Sequence, residues 1–100
     1  MNDFKHIPRK RFGQHWLKDQ GILDQIVNAA KLNSDDCVLE VGPGKGALTE
    51  KLLESQARFI QAIELDRDLI VGLKKRFSHQ SKFNVREGDV LSAPLVAENG

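Results

Sequence analysis

Cysteine is nearly missing from this sequence: Cys37 is the only one in 100 residues. A disulfide framework and a multi-cysteine metal site are thereby excluded, no metal is expected, and a reducing cytoplasm is the expected compartment. Cys37 lies in an apolar run, where a small buried core residue is the simplest role. No apolar run approaches the roughly 20 residues a membrane helix needs. The N-terminus is polar and basic with no apolar stretch behind it, which excludes a secretory signal at this end. Repeats and low-complexity segments are also lacking. What remains is an ordinary composition, 40% hydrophobic and 29% charged, with room for one small domain.

Charge of one sign is scarce overall, at a net +1, but it is unevenly spread. Residues 1–20 hold Lys5, Arg9, Lys10, Arg11 and Lys18 against Asp3 and Asp19, while the remainder of the chain is slightly acidic. A basic arm on a near-neutral body points to an anionic partner, nucleic acid first. On charge alone a solvated tail explains it slightly better.

Along the chain, residues 1–12 carry little periodicity and read as an extended arm. Asp19 is placed to cap a helix running to about Leu32, with Ile22, Leu23, Ile26, Val27 and Ala30 on one face. Asn33-Ser34-Asp35-Asp36 is turn chemistry. Cys37 to Val41 is a short strand, broken by Gly42-Pro43-Gly44-Lys45-Gly46. A helix from Ala47 to about Ser55 follows, then a strand over 58–63. A helix capped by Asp66 runs through about Arg76, and a weaker strand covers 83–86. Strands joined by single helices imply right-handed crossovers and a parallel sheet flanked by helices, an α/β nucleotide fold. A doubly wound domain would continue with more strands, so the fold reads as truncated.

Ligands of open parallel sheets bind beyond the carboxyl ends of the strands. Three features fall there. The glycines of 42–46 let the backbone turn tightly and approach a ligand. Glu64, ending the second strand, stands about where a carboxylate accepts hydrogen bonds from ribose hydroxyls. Asp89, ending the third, can accept from an adenine amino group. Singly, each has a bland reading: a structural turn, a solvated strand-end charge, a turn residue after Gly88. Together they describe an adenosine-shaped slot.

The spacing Gly42, Gly44, Ala47 formally satisfies the dinucleotide fingerprint, which presents N–H groups to a pyrophosphate. A nicotinamide-dependent oxidoreductase half-domain is therefore one reading. Pro43, however, removes a donor, and Glu40 precedes the loop. S-adenosylmethionine carries no phosphate, and its ammonium would suit Glu40, directly or through water. A phosphate-loop nucleotidase is disfavoured, since Lys45 is followed by Gly46 and Ala47. A non-catalytic RNA-binding protein is the third reading.

Four segments carry a resemblance: Pro8-Arg9-Lys10-Arg11-Phe12-Gly13-Gln14-His15-Trp16-Leu17, Leu39-Glu40-Val41-Gly42-Pro43-Gly44, Ile63-Glu64-Leu65-Asp66-Arg67-Asp68 and Glu87-Gly88-Asp89-Val90. In these the chain resembles the ribosomal RNA adenine N6-dimethyltransferases, and within them the small-subunit branch rather than the antibiotic-resistance branch. The resemblance implies a Rossmann-like class I methyltransferase fold, with residues 1–18 as a basic arm bearing a cofactor-closing motif and 19–100 as the first half of an S-adenosylmethionine-binding domain. It implies that His15 and Leu17 close over the methionine end of the cofactor, that Gly42 and Gly44 line it, and that Glu64 binds the ribose and Asp89 the adenine. Arg9, Lys10 and Arg11 would lie near RNA phosphates. Small-subunit ribosomal RNA or the pre-ribosomal small subunit is the implied partner, with no membrane and no obligate protein partner. His15 stands where many relatives have Asn, and Trp16 where Phe is commoner, as a buried anchor.

One departure matters. The family's catalytic Asn-Leu/Ile-Pro-Tyr/Phe, which holds and stacks the flipped adenine, does not occur, nor does the carboxy-terminal helical domain. No catalytic residue is therefore assigned, and these 100 residues alone are expected not to methylate. In the family's strand order the strand at 37–41 pairs with a fourth strand, so the edge bearing Val38, Leu39 and Val41 is expected to be open, with marginal stability and self-association as the consequence.

Overall fold

The computed structural model describes the backbone of residues 4–8 and residues 19–89 in full. In chain order the elements are β1 (Phe4–Pro8), α1 (Gln20–Ala30), β2 (Cys37–Val41), α2 (Ala47–Glu54), β3 (Phe59–Glu64), α3 (Arg67–Arg76) and β4 (Phe83–Glu87). Local chemistry sets most of these bounds. Asp19 Oδ1 accepts from the Ile22 N–H at 3.1 Å, and Asp66 Oδ1 accepts from the N–H groups of Asp68 and Leu69. Both satisfy donors that a helix start leaves without partners. The last turn of α3 is Lys74-Lys75-Arg76, cations where the helix dipole favours them. Between α1 and β2, Asn33 Oδ1 accepts from Asp35 N–H and Asp36 Oδ2 from Asn33 N–H, closing the expected turn.

The four strands form one parallel sheet in the order β1-β2-β3-β4. Because neighbours in space are neighbours in sequence, right-handed crossovers all run one way and lay their helices on one face. Leu23 of α1, Leu48 and Leu52 of α2, and Ile70 and Leu73 of α3 share a core with Val38, Ile60, Ala62 and Val85 from that face. Alternation turns Leu39, Val41 and Ile63 to the other side, where they form a smaller cluster. β2 and β3 are buried throughout apart from Phe59, whereas β4 buries only Val85 fully. Cys37 is 1% exposed, the core role expected of it.

One expectation is corrected. The edge of β2 is not open: Phe4–Pro8 pairs with it in parallel, from Phe4 opposite Cys37 to Pro8 opposite Val41. Residues 4–8 thus belong to the sheet rather than to a free arm, and the sheet holds a strand that the expected element order lacked. The self-association expected from an open β2 edge loses its premise there. A five-residue strand without apolar alternation is invisible to periodicity. It is held by main-chain bonds to a strand whose N–H and C=O groups need partners. Proline at its end fits an edge position, where a missing donor costs least.

Candidate functional site

The carboxyl ends of the strands are tied together laterally. Gly42 N–H donates to the Ile63 carbonyl at 2.9 Å, and Gly88 N–H donates to the Glu64 carbonyl at 3.0 Å. The loop after β2, the last residue of β3 and Asp89 just beyond β4 therefore form one rim, about 10 Å across at two interstrand spacings. Of the residues expected at the site, Gly42, Gly44, Glu64 and Asp89 lie on this rim. His15, Leu17, Arg9, Lys10 and Arg11 lie outside the described residues.

Gly42, Gly44 and Gly46 all have positive φ, at +67°, +61° and +98°, conformations that side chains disfavour. Their surroundings differ. Among the described residues, a Cβ on Gly42 or Gly44 would meet no atom within 4 Å, so both present open backbone to them. A Cβ on Gly46 would sit 2.7 Å from Phe77 Cε2, so that glycine serves packing. The loop's own donors are largely consumed. Pro43 has none, Gly42 N–H goes to Ile63, Gly46 N–H to the Pro43 carbonyl, and Gly44 N–H to Glu64 Oε1.

Glu64 is 9% exposed. Its Oε2 accepts from the N–H groups of Leu65 and Asp66 at 3.0 and 3.1 Å, and its Oε1 takes only the longer 3.3 Å bond from Gly44. The carboxylate is thus oriented by backbone, with one oxygen weakly engaged on the loop side. Asp89 is exposed. Beside it, Arg67 Nε donates to Glu87 Oε2 at 2.9 Å, and that hydrogen bond, then the Glu87 charge, raises the Arg67 pKa.

Glu40, the expected ammonium contact, has a structural partner. It is fully buried on the helix side of the sheet, where its Oε1 accepts from Thr49 Oγ1 at 2.5 Å. A buried carboxylate needs such partners, and this one braces β2 against α2.

Two contacts at the loop had no sequence signal. Arg76 Nη1 donates to the Lys45 carbonyl at 2.7 Å, and Arg76 Nη2 pairs with Glu50 at 3.2 Å. The Leu73 and Phe77 side chains form the wall behind Gly46. Both bring the end of α3 against the loop, across separations that a linear motif does not span.

A parallel sheet with a glycine turn after one strand and a carboxylate ending the next defines a Rossmann-like ligand-binding domain. The family model for ribosomal RNA adenine dimethylases matches residues 5–99, and the chain belongs to that family. The ribosomal RNA small subunit methyltransferase A of Prochlorococcus marinus (strain NATL2A) is 86% identical over 100 residues, covering 100% of this chain and 34% of that protein. The chain thus spans about a third of the length of the curated relatives it matches. Among solved structures, a dimethyladenosine transferase from Plasmodium falciparum superposes with a TM-score of 0.74 at 40% identity, over 80% of this chain and 30% of that one. The 23S rRNA methyltransferase ErmE gives 0.73 at 33% identity, over 81% and 33%. Among the described residues no helix is long and apolar enough to cross a membrane.

Proposed function

We propose that this chain forms the cofactor side of an S-adenosylmethionine-dependent methyltransferase acting on the N6 of adenines in small-subunit ribosomal RNA, in the cytoplasm. The observation that carries the cofactor choice is the state of the glycine loop. The N–H groups of Gly42, Gly44 and Gly46 already have acceptors and Pro43 has no N–H. A pyrophosphate needs several converging donors, and those of the three glycines are already engaged. An uncharged ribose with hydroxyl donors suits the same rim. This weighs against the nicotinamide reading and for a phosphate-free adenosine cofactor.

When bound, S-adenosylmethionine supplies a methyl group activated on a sulfonium. The chain's residues bind and orient. The open Cα surfaces of Gly42 and Gly44 admit the ligand closely, Glu64 Oε1 accepts from ribose hydroxyls, and Asp89 accepts from the adenine amino group. His15 and Leu17 close over the methionine end, and Arg9, Lys10 and Arg11 meet RNA phosphates. Residues 9–18 form the basic, cofactor-closing segment, between β1 and the first part of the cofactor domain at 19–100. Transfer itself needs the Asn-Leu/Ile-Pro-Tyr/Phe group, so methylation is assigned to the full-length product of the reading frame rather than to these 100 residues.

Calorimetric titration of that full-length product with S-adenosylmethionine and, separately, with NADH is the test. Saturable heat with the first and none with the second is expected. Binding of NADH without S-adenosylmethionine would overturn the reading.

A further inference from the structure

Arg76 is the only described side chain that grips the outer wall of the glycine loop by a hydrogen bond. It reaches back across 31 positions to the Lys45 carbonyl at 2.7 Å. The peptide that this carbonyl belongs to is held at its other end too, since Gly46 N–H donates to the Pro43 carbonyl at 3.0 Å. Both polar groups of the Lys45–Gly46 peptide are therefore fixed. The guanidinium is itself held twice more, by Glu50 at 3.2 Å and over the Phe77 ring at 5.0 Å. Phe77 is the ring that backs Gly46. On the inner wall, Glu64 takes the Gly44 N–H.

We infer that Arg76 is a positioning residue for cofactor binding. It clamps the loop from α3 so that Gly42 and Gly44 keep their left-handed conformations and their open faces toward the ligand. The inference rests on the cofactor reading above. A loop ordered before binding does not lose that freedom on binding, and this is how a contact remote from the ligand strengthens affinity. The competing account is that Arg76 is merely a cation in the last turn of a helix, favoured by the dipole. Lys75, in the same turn, separates the two.

The test uses S-adenosylhomocysteine as a non-reactive probe, titrated into the full-length product of the reading frame carrying Arg76→Ala, Arg76→Lys or Lys75→Ala. Loss of one charge-assisted hydrogen bond corresponds to roughly tenfold weaker binding for Arg76→Ala. Arg76→Lys, whose ammonium can still donate to the Lys45 carbonyl, recovers most of it, and Lys75→Ala matches the unsubstituted protein. Amide exchange read by NMR supplies the second measure. Exchange at Gly44 and Gly46 speeds in Arg76→Ala while Ala62 in β3 keeps its rate. Equal affinity of Arg76→Ala and the unsubstituted protein overturns the inference, as does an equal loss in Lys75→Ala or faster exchange throughout β2 and β3. Failure of the unsubstituted protein to bind the probe overturns the cofactor reading and this inference with it. Binding that ignores Arg76 overturns this inference alone.

Discussion

The two ends of the same strands use polar groups in opposite ways. At the amino end they are spent on the fold. Arg58 and Phe59 donate main-chain N–H groups to the Asp36 carbonyl, Arg58 Nη2 lies 3.1 Å from Cys37 Sγ, and Lys82 Nζ donates to the carbonyls of Ser55 and Ala57. At the carboxyl end, Glu64 keeps an oxygen on a single long bond, and none of the described residues crowds Gly42 or Gly44. The difference teaches where ligand chemistry can reside. A parallel sheet offers both ends to loops, and among the described residues it is the carboxyl end of this one that keeps a weakly held carboxylate oxygen beside uncrowded glycine backbone.

Substitution at Gly46 breaks the comparison most severely, because this position on the ligand rim is built like the amino end, for packing. Alanine there must hold a φ of +98° and place a methyl 2.7 Å from the Phe77 ring. The left-handed backbone costs about 1–2 kcal/mol and overpacking about 1–3 kcal/mol. Gly46→Ala is expected to lose about 3 kcal/mol in urea unfolding. Gly44→Ala, with open space around it, should lose only the backbone part while weakening S-adenosylhomocysteine binding. Equal unfolding losses at the two glycines would remove the distinction between packing and ligand-facing glycines.

Glu64→Gln comes next and acts through affinity. The amide keeps one acceptor for Leu65 and Asp66 but turns a donor toward the Gly44 N–H and the ribose. Hydrogen bonds to charged groups contribute about 1.5–3 kcal/mol, which corresponds to roughly 10- to 100-fold weaker binding of S-adenosylhomocysteine. Stability should change less than in Gly46→Ala. Unaltered affinity would remove Glu64 from the ribose position.

These effects follow how legible the molecule is from its residues. The helices over 20–30, 47–54 and 67–76 were readable because each has either an acidic cap or a clear apolar spacing, and the strands at 37–41, 59–64 and 83–87 because turns bound them. Glu64 and Asp89 were readable as neighbours on one rim because parallel topology forces the ends of successive strands to one edge. The strand at Phe4–Pro8 was not. Its five residues carry no alternation, and what holds them is the unsatisfied main chain of β2, which side-chain patterning does not report. Arg76 and the Phe77–Gly46 contact were hidden for a related reason. They depend on how α3 ends against a loop far away in sequence, and Arg76 on its own is only one more cation at a helix end. The Thr49 partner of Glu40 was not legible, because strand position tells that a side chain alternates, not which face meets a helix. Here the helix face holds Thr49, and the carboxylate turns to it.

The smallest effect belongs to the amino end and sharpens the comparison by what it leaves untouched. Lys82 is partly buried, and its ammonium donates to the Ser55 and Ala57 carbonyls at 2.9 Å each, closing the loop from α2 into β3. Methionine keeps the apolar stem but leaves both carbonyls to find water, which this partly open site allows. Lys82→Met should therefore cost about 1 kcal/mol in urea unfolding, with S-adenosylhomocysteine affinity unchanged within twofold. The Ser55–Ala57 segment connects to the rim through the full length of α2 and β3, and by way of Lys82 through that of β4. A loss of affinity beyond the loss of folded protein would mean that the two ends are coupled through those elements. The division between a structural end and a ligand end would then describe where the residues sit but not how they act.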